Sequence, residues 1–81
     1  MGSSGNSAVD AAMQKVKGAE NHLMAMKANR DTAKKNGNYK NASKNYNFNG
    51  KVGNVYDNNV WVAERALKEA KQYLAEVKKR K

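Results

Sequence analysis

The sequence predicts a mainly all-α chain: an antiparallel helical hairpin whose asparagine-rich connector has room for a short β-hairpin. Three observations carry this. Apolar and alanine residues recur at seven-residue spacing in two separate stretches, the mark of a helix seam. Between them lies NGNYKNASKNYNFNGKVGNVYDNN, residues 36 to 59, which holds nine asparagines and no proline. The chain has only 81 residues and no cysteine, so it forms one small domain without a disulfide.

The elements follow in order. Residues 1–6 read as a flexible leader or a tag remnant; Gly2 resembles a loose myristoylation site, but Asn6 stands where Ser or Thr is expected. Ser7-Ala8-Val9-Asp10 has the serine-then-acid spacing of a helix start. Helix 1 is assigned to 7–36. Val9, Val16, Leu23 and Arg30 share one seam position, and Ala12, Ala19, Met26 and Ala33 share its neighbour. The patterned part runs for about 28 residues, or about 42 Å. Asn36-Gly37 ends it, because glycine accepts the left-handed backbone that closes a helix.

Two features of helix 1 stand out. Arg30 puts a charge in the seam, so the helices are expected to diverge, or helix 1 to fray, before reaching it. Gly18, with Ala11 and Ala25 seven residues to either side, suggests a face of close backbone approach. Glycine costs about 1 kcal/mol against alanine in a helix, and close packing would account for it.

The connector is assigned to 37–57. Asparagine bonds its own backbone and tolerates left-handed geometry, so it suits turns. Asn49-Gly50 sits between NYNF and KVGNV as a hairpin turn pair. Tyr46, Phe48, Val52, Val55 and Tyr56 then need a surface to rest on, which Trp61 can supply. Helix 2, with its basic tail, is assigned to 58–81 and capped near Asp57-Asn58-Asn59. Val60, Leu67 and Leu74 alternate there with Ala63, Ala70 and Val77. Alanine along both seams favours close helix contact. A lone hairpin leaves each seam half covered, and pairing two into a four-helix bundle would cover both.

Composition narrows the function. Of the 40% hydrophobic residues, twelve are alanine, so the core is thin. Self-association or a partner is expected to help hold it. The net charge is +9, with seven cations against Asp31 alone between residues 27 and 51. An anionic partner is the leading expectation. The candidate contacts are Lys27, Arg30, Lys34, Lys35, Tyr39, Lys40, Lys44, Tyr46, Phe48, Lys51, Trp61 and the tail residues Lys78, Lys79 and Arg80. Lysines interleaved with rings and amides can hold phosphates and stack bases. Some of these residues have plainer readings: Lys27, Arg30 and Lys34 as a solvated row near a helix end, and the rings as a cluster that folds the connector onto helix 2.

The expected function is non-enzymatic binding of RNA or DNA through phosphate contacts. The alternative is a protein-interaction module, such as an inhibitor or assembly factor, docking on an acidic protein surface. Membrane-surface binding ranks last, and no apolar run reaches the length of a membrane span. Catalysis, metal and cofactor are not expected: His22 is the only histidine, the seven acids form no paired motif, and no phosphate loop is present. The absence of cysteine fits the cytosol without excluding export.

Overall fold

The structure, a computed structural model, describes residues 4–79, with side chains from Ser7 onward. Five elements follow one another: α1 (Ser4–Asn36), α2 (Asn38–Asn41), β1 (Tyr46–Phe48), β2 (Lys51–Gly53) and α3 (Val55–Lys79). The long helices α1 and α3 pack against each other. Two contacts set their direction: Lys15 Nζ lies 5.2 Å from the ring centre of Tyr73, and Arg30 forms an ion pair with Asp57. A residue early in α1 thus meets one late in α3, and the reverse, which makes the pair antiparallel.

The molecule measures 53 × 25 × 11 Å. Its radius of gyration is 16.6 Å, against about 12 Å for a compact chain of this length. An extent of 11 Å is one helix thick, so among the described residues the core is the seam between the two long helices. Between Ser7 and Asn36, the residues not fully exposed are Val9, Ala12, Val16, Ala19, Leu23, Met26, Arg30 and Ala33, the full predicted seam. From Val60 onward in α3 they are the six predicted residues plus Trp61. The most deeply buried apolar residues described are Ala12, Ala33, Val60, Ala63 and Val77. Three of these are alanines, so contact density replaces side-chain bulk.

Four expectations are corrected. Helix 1 begins at Ser4 rather than Ser7, so the last three residues of the predicted leader are helical, while residues 1–3 lie outside the described residues. Arg30 neither frays α1 nor drives the helices apart. It stays half-buried in the seam because Asp57 of α3 meets its charge there, and α1 continues to Asn36. Helix 2 starts at Val55, three residues early, so Val55 is helical rather than part of a strand. The face of Ala11, Gly18 and Ala25 is exposed, and a methyl group added at Gly18 would meet nothing within 4 Å. These three residues lie one position before the seam, about 100° around the helix, and point away from α3.

A prediction follows for Gly18. With no close approach to protect, Gly18→Ala raises stability by about 0.5–1 kcal/mol through lower backbone entropy in the unfolded chain. A thermal melt followed by circular dichroism should show a gain of about 3–6 °C. A loss would mean that another backbone packs against this face.

Between the long helices the chain makes compact turns. Gly37, at φ 87°, closes α1 at the predicted stop. A single turn, α2, follows, started by the Asn36 side chain accepting the Asn38 N–H at 3.0 Å. Strands β1 and β2 pair antiparallel in the register Tyr46 with Gly53, Asn47 with Val52 and Phe48 with Lys51. Asn49 (φ 52°) and Gly50 (φ 75°) form the two-residue turn, and both left-handed angles match the twist a tight hairpin needs. Among the described residues, no helix is long and apolar enough to cross a membrane.

Candidate functional site

The connector is held to the helices by a small polar network centred on Asn54 and Asp57. Asn54 is 2% exposed. Its side-chain oxygen accepts the Asp57 N–H at 3.0 Å, which caps the first turn of α3. Its amide nitrogen donates to the Tyr39 carbonyl at 3.2 Å, tying α2 to the start of α3. One buried side chain therefore anchors two elements.

Asp57 gathers the rest. The Tyr39 hydroxyl donates to Asp57 Oδ2 at 2.7 Å, and Arg30 Nη1 lies 3.6 Å from Asp57 Oδ1. This hydrogen bond to Asp57 raises the Tyr39 pKa above 10.0, with burial and the Asp57 charge acting in the same direction and Arg30 opposing them. A raised folded-state pKa favours the neutral phenol. The stabilisation is therefore complete below the unfolded value and lost as pH rises through the folded one. An alkaline absorbance titration should show a phenol that ionises above the ordinary range. Tyr39→Phe should remove that component and make α2 docking less sensitive to high pH. Loss of amplitude in the ordinary range instead would show that the bond to Asp57 does not form in solution.

Aromatic contacts seat the hairpin. Phe48 lies 5.7 Å from Trp61, centre to centre, and Tyr39 lies 6.2 Å from Tyr56. A Cβ built on Gly53 would stand 2.8 Å from the Phe48 ring, so glycine lets that ring reach Trp61. The cluster covers less than the sequence suggests. Tyr46 is 41% and Val52 61% exposed, and both remain on the surface.

Apart from the exposed Tyr46, the candidate contact residues divide into three groups. Lys27, Lys34, Lys35, Lys40, Lys44 and Lys51 are all exposed around the connector end. Lys34 Nζ also lies 4.9 Å from the ring centre of Tyr39. Arg30, Tyr39, Phe48 and Trp61 are instead half-buried and already engaged within the fold, Trp61 against Phe48 of the hairpin. Arg30, Phe48, Lys51 and Trp61 line one depression of about 300 Å³ that also holds Asp57 and Glu64. Lys78 and Lys79 end α3, about 36 Å along the helix from Val55, and do not join the connector group. Arg80 lies outside the described residues.

Several side chains that shape this region were not among the candidates. Asn54 and Asp57 carry a readable signal, a capping residue followed three positions later by an acid, but the asparagine-rich surroundings offer many competing caps. On the outward face of α3, Trp61, Arg65, Lys68, Glu69 and Gln72 line a groove of about 470 Å³, with Asn49 of the hairpin turn also on its wall. The spacing of 61, 65, 68 and 72 follows one helix face. Asn49 joins that face only because the hairpin folds back. Comparison of the chain with protein-family models, curated proteins and solved structures finds no match.

Proposed function

We propose that this protein binds nucleic acid, RNA or DNA, through phosphate contacts at its connector end, as a binding protein rather than an enzyme. One observation carries the reading. Six exposed lysines surround the connector, while Asp57, one of the two acids in the same stretch, is engaged by Arg30 and Tyr39. Asp31, and Glu64 in the depression it shares with Lys51, are left to offset the lysines locally. Exposed lysines can each approach a phosphate and release a counterion. The arrangement favours backbone contact over base readout, since most of the nearby rings are occupied within the fold.

The test is a fluorescence-anisotropy titration against labelled random RNA and DNA across a salt series. Tight binding at low salt should weaken linearly on a log–log plot, with a slope of about 0.7–0.9 per phosphate contacted. Weak binding at low salt would end this reading. It would favour a module docking on an acidic protein surface, which draws support from the exposed Val52 and Tyr46 amid the same lysines.

A further inference from the structure

We infer that the outward groove of α3 binds one or two nucleotides of a single strand, stacking a base on the Trp61–Arg65 platform and holding a phosphate between Arg65 and Lys68. This rests on the phosphate-binding reading above and names its substrate class. The groove lies on α3, with only Asn49 from the connector, and uses residues that the lysine contacts do not need.

The groove has the parts such a ligand requires. Its volume, about 470 Å³, falls within the range of small-ligand sites, about 300–1,000 Å³. The Arg65 guanidinium carbon lies 5.2 Å from the Trp61 ring centre. Phe48 braces the same indole at a 34° tilt. The guanidinium lies over the indole, so its outer face is the surface left to an unpaired base, and bases stack on guanidinium planes. Asn49 and Gln72 line the groove as well, and their amides can bond base edges. Trp61 to Gln72 spans about 16 Å of helix, enough for one or two extended nucleotides.

Glu69 is the one acid on the groove wall, set against two cations. It holds Arg65 at 3.7 Å, but the two side chains are 68% and 60% exposed. Such a pair contributes little in water, so a phosphate can take Arg65 from it. The depression on the other side of Trp61 suits a phosphate less well, because Asp57 and Glu64 both line it. A duplex cannot use the groove in this way, since its bases are stacked inside the helix.

Trp61 is the only tryptophan in the chain, which makes it a reporter of its own site. The experiment titrates the full chain with labelled oligothymidylate of about 12 nucleotides, with a duplex of equal length, and with free thymidine monophosphate. It reads probe anisotropy, in the two labelled arms, and tryptophan emission together. The expected result is quenching by the single strand that saturates with the anisotropy, with little quenching by the duplex. Lys68→Glu changes an exposed side chain and should reduce the salt slope for the single strand by about 0.7. Glu69→Gln should tighten binding, and Trp61→Leu should weaken it by about tenfold or more. If the oligonucleotide binds with unchanged emission and Lys68→Glu has no effect, the groove proposal fails while the phosphate reading stands. No anisotropy change in either nucleic acid would overturn both. Quenching by the free nucleotide as strong as by the strand would replace the strand with a mononucleotide ligand.

Discussion

The triple variant Lys40→Glu, Lys44→Glu, Lys51→Glu should lose about two to three orders of magnitude in nucleic-acid affinity at low salt. All three side chains are exposed. Among the described residues, none of the three forms an ion pair or ring contact that the fold depends on. The far-UV circular dichroism and melting temperature should therefore stay close to those of the parent chain. The loss combines two effects: each reversal removes a cation that can meet a phosphate, and adds an anion that repels it. Both are long-ranged at low ionic strength and shrink as salt screens them. The gap between parent and variant should accordingly narrow as salt rises. An affinity unchanged by the three reversals would move the contact away from the connector, leaving α3 as the surface to test.

Asn54→Ala should be the most damaging single change to the fold. Loss of a helix cap costs about 1 kcal/mol. Here the Tyr39 carbonyl also loses one of its two donors, keeping the Ala42 N–H at 3.3 Å, and the tie between α2 and α3 is cut, which adds about 1 kcal/mol. Together these amount to about 2 kcal/mol, a large share of the stability of a chain this size. A melt should show a drop of about 8–16 °C. Asn54→Ser keeps a capping oxygen but has no amide to reach Tyr39, so it should fall between the two. If serine and alanine behave alike, the cap contributes nothing and the anchor to α2 carries the effect.

These two predictions separate binding from folding because the structure separates the residues. The lysines lie outside the polar network, and Asn54 lies at its centre. Asn54→Ala should also weaken binding indirectly, by releasing the hairpin and α2, which carry or flank Lys40, Lys44 and Lys51. At a temperature where the variant is still folded, its salt slope should stay near that of the parent.

The seam was legible in the sequence because its signal is periodic and repeated. Eight residues of α1 and six of α3 recur at heptad spacing, and helix geometry turns such spacing into one face. The hairpin turn was legible at Asn49-Gly50 for a different reason: a two-residue loop with left-handed angles at both positions has few acceptable sequences. What the sequence by itself determined is therefore the local and periodic part: two helices, their facing seams, the stop at Gly37, the tight turn and the placement of positive charge.

Tertiary structure decided the rest. Arg30 looked like a break in the seam because its partner, Asp57, lies 27 positions away and meets it only once the helices are antiparallel. Gly18 looked like a packing site, yet nothing in the spacing of Ala11, Gly18 and Ala25 says whether another backbone approaches. Asn54 was one capping residue among many asparagines until burial and the Tyr39 carbonyl singled it out. The groove on α3 needed Asn49 to fold back over Trp61. Each of these depends on groups far apart in sequence. Periodicity reports which way a side chain points, and only the packed chain decides what it meets there.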